Sequence, residues 1–508
     1  MATTHRSLRP VQRCLRATVV AGTALISAGA LTACSALGSL TTEGNDTATG
    51  FFSLDAVNSM SITVDDADLQ GLLDTYDTSN DKEWATATVT INGETFTDVG
   101  LRLKGNSSLR SVSTEEGLEN PQDLPWLIRL DKYVDGQTYG GRSDFVVRSN
   151  NTATSLNEAV ALEVLSLADV PSVTSGFSRV SVNGGQEALR LVVDLPDDDA
   201  WVTDSLIDTG VLYKANSDGD YSYRGDNGED YTEAFDIKSI TSGLSEQDGY
   251  SPLIEFLDVV NNSDDDQFAT QLAEYLDVEE FARYLAVQDL VANTDDIDGP
   301  GNNSYLYYND ATGQMTVVAW DQNLSFGGMG MGGFGGGRGE GADGLRPDDD
   351  TALPSQEGGT RPEMPEGFTP PEGGLEDLPE GMSLPEGFTP PDGENMPEGG
   401  GLGGGRGGMG KENALVTRFL ENEDFNALYT EATATLQADI YDSGAAQEFL
   451  NAATELLASE ASDLVTEDDI STDSSAIQRY FTAESATSTP GTTQNQGNTR
   501  REEEKTTT

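Results

Sequence analysis

Apolar residues recur along this chain with two periods, and the switches between them mark its elements. Leu69, Leu72 and Leu73 fall at helical spacing and predict a helix over 65–76. Alternation then takes over. Residues 85–91, 99–104 and 126–130 read as strands, with Asn92-Gly93 a strong hairpin signal between the first two. Helical spacing returns over 154–167, with Leu156, Val160, Val164 and Leu167 on one side, and 177–182 and 188–194 form a second hairpin around Asn183-Gly184-Gly185. The first folded half is therefore expected to be mostly antiparallel β with one long helix. Residues 251–293 turn helical, and 304–308 and 315–320 predict a further hairpin across 309–313.

At residue 327 the periodicity stops. Residues 327–410 are rich in Gly, Pro and Glu, and the segment PEGFTPP at 365–371 recurs at 385–391. Two copies are too few for a solenoid, and this composition opposes a core, so a disordered insert is expected. Phe368 and Phe388, each set in Pro and Gly, are candidate docking anchors. Helical spacing resumes over 413–457, and 487–508 read as a disordered tail.

Composition narrows the chemistry. The chain has 508 residues, with 28 Lys and Arg against 88 Asp and Glu, a net charge of -60. Such an excess of acid excludes a nucleic-acid binder that works through a basic face. The Asp runs at 197–199, 264–266 and 348–350 read as solvated surface. His5 is the single histidine, and Cys14 and Cys34 are the two cysteines. Without residues 1–33 no His remains and Cys34 is the last thiol. That removes Ser-His-Asp and Cys-His catalysis, His- or Cys-held zinc and any structural disulfide. Carboxylates, amides, hydroxyls, Lys and Arg remain, a palette that suits hard cations such as Mg²⁺, Mn²⁺ or Ca²⁺.

The N-terminus reads as an address. Arg6, Arg9, Arg13 and Arg16 precede an apolar stretch over 17–33 that ends in Leu31-Thr32-Ala33-Cys34. This looks like a bacterial lipobox: signal peptide 1–33, lipidation of Cys34, and a Ser/Thr/Gly-rich tether over 34–50. Cleavage removes four arginines and no acid, which takes the charge from -60 to -64. No other run reaches the roughly 18 apolar residues of a transmembrane helix.

Asp298, Asn303 and Asp321 form the constellation that could carry chemistry. Asp298 lies in a Gly/Asn loop after a helix, Asn303 stands five residues on before a strand, and Asp321 ends the next strand. One Asp to orient a hydroxyl, with an Asn and a second Asp to hold metals, is the minimum set for phosphoryl transfer. On the residues alone, ordinary turns and a Ca²⁺ loop at 295–303 stay open, although the EF-hand pattern is missing.

Residues 298–327, DGPGNNSYLYYNDATGQMTVVAWDQNLSFG, resemble the signature of the spore coat protein H (CotH) kinase family. So do VGLRLKGNSS at 99–108, LIRLDK at 127–132, residues 155–165, and VLYKANSDGDYSYRGD at 211–226. The resemblance implies an α+β, two-lobed atypical protein-kinase-like fold, with a main part over 51–326 and a C-terminal helical part over 411–486 packed on the larger lobe. It implies Asp298 as the catalytic Asp, Asn303 and Asp321 as Mg²⁺ or Mn²⁺ ligands, and Lys104, Asn106 and Ser107 in a turn near the phosphates of ATP. Arg129, at a position where the family often has Lys, would meet phosphate or an acid. Glu163 would pair with Lys104 or Arg129, Lys214 and Asp220 would face the cleft, and residues 192–194 would hold adenine through the backbone. The chain departs from the family at Asn323, where a second Asp is common, and it lacks a Gly-x-Gly-x-x-Gly loop before a Lys. The implied protein is a lipid-anchored kinase on the outer face of a Gram-positive-like membrane that phosphorylates a hydroxyl of a protein substrate. The rivals are a non-catalytic surface adhesin on the same fold and a Ca²⁺-dependent scaffold.

Overall fold

Alternating apolar residues have to bury one face, and in this chain seven such strands solve the problem by closing on themselves. The computed structural model describes residues 50–482 apart from 106, 110–112, 207–208, 217–218, 246–247, 300–301 and 328–412. The expected lipobox with Cys34, Asn106, the two Phe repeats and the tail from 487 lie outside the described residues, and so does the side chain of Ser107.

The barrel strands are β1 (Asn58–Val64), β2 (Ala85–Ile91), β3 (Glu94–Leu103), β4 (Trp126–Arg129), β5 (Asp144–Val147), β6 (Ser175–Val182) and β7 (Ala188–Val193). Their order is β1-β2-β3-β4-β5-β7-β6, closed by parallel pairing of β1 with β6. The predicted hairpins at Asn92-Gly93 and Asn183-Gly184 join β2 to β3 and β6 to β7. Helices α1 (Asp66–Ser79) and α2 (Thr114–Glu119) flank the barrel, and α3 (Leu156–Leu167) follows β5. Leu69, Leu72 and Leu73 are the buried stripe of α1, as their spacing predicts.

A second sheet holds β8 (Gly210–Ala215), β9 (Phe235–Ile240), β10 (Ser304–Asn309) and β11 (Gln314–Ala319), in the order β11-β10-β8-β9. Around it lie α4 (Asp199–Ser205), α5 (Ser251–Asn262), α6 (Asp265–Tyr275) and α7 (Val278–Leu290). Beyond residue 412 come α8 (Ala414–Glu421), α9 (Glu423–Leu436), α10 (Ala445–Glu460) and α11 (Glu467–Gln478). Leu415, Phe419, Leu450 and Leu457 of these later helices join the larger of two apolar cores. No helix among the described residues is long and apolar enough to cross a membrane.

Strand alternation ties the two cores together. On β4 and β5, Trp126, Ile128, Phe145 and Val147 fill the barrel, while Leu127 and Val146 point outward into the larger core. The same alternation puts charge on that outer face. Gly100 lies opposite Arg129 and Arg129 opposite Asp144, with Arg102 opposite Leu127, so Lys104 and Arg148 emerge together at the next row.

Two sequence readings change here. Asp198 is not solvated surface: it is 4% exposed, caps α4 and accepts from the Ser143 and Asp144 amides at 2.7 and 3.1 Å. A short loop that caps a helix against a strand end takes its Asp inside. The backbone of Val192 and Val193 is paired with β5 on one side and β6 on the other, which leaves that segment no open edge for a ligand.

Candidate functional site

The predicted hairpin supplies the site's frame. Ser304 of β10 pairs with Ala319 of β11, so Asn303 and Trp320 flank the same end of the ladder and Asp321 follows directly. Asp321 has φ 64°, and Ala292, Asn302 and Phe326 nearby in sequence also adopt positive φ. Four non-glycine residues in the left-handed region, within two adjoining loops, are stored strain of the kind that accumulates at functional sites.

Asp321 meets a cation that pattern reading missed. Arg148, one residue past β5, directs Nη2 to Asp321 Oδ1 and Nε to Glu158 Oε2 at 3.0 Å. Glu158 sits in the first turn of α3 and is 3% exposed. Burial pulls the Arg148 guanidinium down, but the Asp321 and Glu158 carboxylates outweigh it and hold it above its ordinary value. Burial pushes Glu158 up against the pull of Arg148. The three groups thus lock a barrel strand, a helix and the loop after β11 to one another.

Further cations gather around the aromatic end of the hairpin. Lys104 Nζ lies 5.4 Å from the Trp320 ring and Arg148 Cζ 5.8 Å. Lys214 Nζ lies 5.2 Å from the Tyr305 ring and donates to the Ala215 and Ser304 carbonyls at 2.6 and 3.3 Å. Tyr305 donates to Asp197 at 2.9 Å, and Lys238 approaches the same carboxylate at 3.5 Å. Burial, with the repulsion of neighbouring cations, lowers both Lys104 and Lys214 to about 8, against the opposing pull of Asp197. Both ammonium groups are therefore poorly hydrated, and an anion in contact with them would relieve that cost. The turn after Lys104 needs its glycine: Gly105 has φ +109°, and a Cβ there would fall 2.2 Å from Ser108 Oγ.

Asp298 and Asn303 are held by other partners. The Asp298 carboxylate accepts from the Asn413 amide at 3.1 Å, the N-cap of α8, and Asn303 Nδ2 donates to Asp295 at 2.9 Å. Among the described residues no three carboxylates cluster tightly enough to cage a metal. In kind, the oxygen donors of Asn303 and Asp321 suit Mg²⁺, which takes one or two carboxylates and completes its shell with phosphate and water. A separate cleft of about 590 Å³, lined by Asp66, Leu69, Glu119, Asn120 and Gln122, contains none of these residues and no cation.

The family model described as CotH kinase protein matches residues 101–485. The chain belongs to the CotH kinase family. It is 24% identical over 173 residues to the inner spore coat protein H of Bacillus subtilis (strain 168). That stretch covers 34% of this chain and 46% of the relative, about half its length.

Within this CotH chain the helix acid that grips a strand cation is Glu158, not Glu163. Glu163 lies further along α3, where burial raises its carboxyl, and no ion pair joins it to Lys104 or Arg129 among the described residues. Arg129 instead makes a two-pronged pair with Asp144, at 2.7 and 2.5 Å. Asp220 pairs with Arg224 at 3.1 Å. Two signals pointed to the missed pair: a lone Arg closing an apolar strand, and a Glu inside an apolar helix start.

Proposed function

We propose that this CotH protein is an atypical, two-lobed protein kinase that transfers the γ-phosphoryl group of ATP to a hydroxyl of a protein. The observation that carries the reading is Asp321, held at the strand end by an Arg148 that also grips Glu158, beside two half-buried lysines. Asp298 orients the acceptor hydroxyl and takes up its proton as the acceptor oxygen bonds to the γ-phosphorus and the bond from that phosphorus to the bridging oxygen breaks, releasing ADP. Lys104, Lys214 and Arg148 bind the donor's phosphates, and the indole of Trp320 and the ring of Tyr305 keep water from them. Asn303 and Asp321 would hold Mg²⁺ or Mn²⁺, which would neutralise phosphate charge. Asn323 adds no charge where a second Asp is common in the family, so weak metal affinity follows. Cys34 would carry the lipid that holds the protein at the outer face of the membrane.

The test is label transfer from γ-labelled ATP with Mg²⁺ or Mn²⁺ to the protein itself and to a generic acceptor. Metal-dependent labelling that vanishes in Asp321→Asn, with that variant's melting curve retained, is the expected result. No labelling, together with no thermal shift from ATP plus metal, would overturn the kinase reading and leave a binding protein on this fold.

A further inference from the structure

Cations are scarce in this chain, yet several crowd one half-buried indole outside the candidate site. Trp84, just ahead of β2, has Arg102 Cζ at 4.7 Å, Lys132 Nζ at 4.9 Å and Arg129 Cζ at 5.8 Å from its ring. Gly100 permits this crowding: a Cβ there would fall 2.7 Å from the Lys132 side chain and 2.9 Å from that of Trp84. Arg129 has Asp144 as its carboxylate. No carboxylate forms an ion pair with Arg102 or Lys132 among the described residues, and Arg102 Nε is buried without a hydrogen-bond partner. Next along the chain, Tyr133 and Val134 are 47% and 40% exposed, two of three large apolar side chains so exposed among the described residues. Cations that repel one another beside bare aromatic and aliphatic surface suit an acidic segment with an apolar anchor.

The chain itself contains such a segment. Residues 328–412 hold 17 acidic and 5 basic residues, a net charge of -12. PEGFTPP occurs there twice, and each copy sets one Glu two residues before one Phe. Both flanks of the segment adjoin the candidate site: Asn413 bonds to Asp298, and Gly327 stands six residues after Asp321. Six residues span at most about 21 Å. From Trp320, Lys104 is in contact, and Arg102 lies two residues back along β3. Phe368 is 41 residues beyond Gly327 and 45 before Asn413. Forty-one residues can span up to about 140 Å, a contour long enough to bring Phe368 to Trp84.

We propose that the surface around Trp84 binds this chain's own acidic repeat, Glu366-Gly367-Phe368 or its copy Glu386-Gly387-Phe388. The glutamate faces Arg102 and Lys132, and the phenyl ring sits against Trp84 and Tyr133. Tethering supplies an effective concentration on the order of millimolar, so a weak site is filled. The docking rests on the patch and the repeat and stands apart from the kinase reading.

The full chain, a mixture of heavy-isotope and light copies, is treated with a carbodiimide that joins carboxylates to lysine amines. Crosslinks from Lys132 to Glu366 or Glu386 within one copy are expected, and a Phe368→Ala/Phe388→Ala variant loses most of them. A labelled peptide of residues 363–371 is then titrated onto that full-length variant, where Lys132→Glu weakens binding about tenfold, as charge reversal beside a partly desolvated anion should. Lys132 joined only to carboxylates of the folded body, crosslinks only between heavy and light copies, or peptide affinity unmoved by Lys132→Glu would each overturn the proposal.

Discussion

Replacing Arg148 with methionine strikes the contact that joins β5, α3 and the loop after β11. The guanidinium is 10% exposed, Glu158 is 4% exposed and Asp321 25%. Removing one partner of a buried ion pair costs about 3–5 kcal/mol, because the other charge stays behind unpaired. Asp321 can rehydrate in part, so Glu158 carries most of the penalty, and methionine keeps much of the arginine stem's packing. The expected cost is therefore near the low end, about 3 kcal/mol. At about 2 °C per kcal/mol for a domain of this size, the melting temperature falls by about 6 °C.

The assay is urea denaturation followed by tryptophan fluorescence and circular dichroism, with coincident transitions required. Adding Glu158→Gln to Arg148→Met should restore about 1–2 kcal/mol, since a buried amide costs less than a buried unpaired carboxylate. The pH dependence has a definite sign. Without Arg148 the folded-state pKa of Glu158 stands further above its ordinary 4.5, so the folded state binds more protons than the unfolded state across that window. The deficit of the variant is then largest at neutral pH and shrinks as pH falls toward 4.5. A cost under about 1 kcal/mol, or strict additivity of the two substitutions, would refute the assignment of Arg148 as the shared counter-charge.

Three further outcomes follow from other groups. Lys104 and Lys214 are at about 8 in the folded chain, below the ordinary 10.5, so their grip on an anion is present below pH 8 and fades above it; calorimetric affinity for metal-free ATP should weaken about tenfold from pH 7 to 9.5, and a flat profile would contradict their role. Glu280 of α7 is buried with no ion pair among the described residues, and burial raises it to about 8. Stability should therefore fall as pH climbs from 4.5 to 8, and Glu280→Gln should gain about 2 kcal/mol at pH 8 and nothing at pH 4, read by urea titration at both. Gly105→Ala should cost about 1–3 kcal/mol through its positive φ and the contact with Ser108, and an unchanged urea midpoint would show that the turn relaxes freely.

What the pattern of residues revealed, and what it hid, follows the range of each interaction. The hairpin of β10 and β11 was legible because its turn and both alternating strands lie within sixteen residues, from Ser304 to Ala319. The barrel was not. Its closure depends on parallel pairing of Asn58–Val64 with Ser175–Val182, and no local period encodes a partner more than a hundred residues away. β5 is only four residues long, an Asp followed by three apolar residues, too short to assign by period. Asp321 was found from its place in a motif, whereas its partner Arg148 is 173 residues distant. Glu163 was the natural choice of helix acid because it sits mid-helix. Glu158 does the pairing because the first turn of α3 is the part that abuts the end of β5.

The chain is strongly acidic, yet its site gathers several cations, and burial explains how both persist. Among the described residues most acids lie where water screens them, with a Debye length of about 8 Å at physiological salt. Lys104 and Lys214 are half-buried and Arg148 is buried, so each keeps a field that the outer acids do not fully cancel at contact distance. An anion approaching from afar is repelled, and only one that reaches the cleft meets the half-buried Lys104 and Lys214. Such an arrangement favours a ligand whose charge is already partly neutralised, as a nucleotide bound to a divalent cation is, or a segment held close by its own chain. Cations gathered around an indole thus serve both proposals, at two places along one face of the barrel.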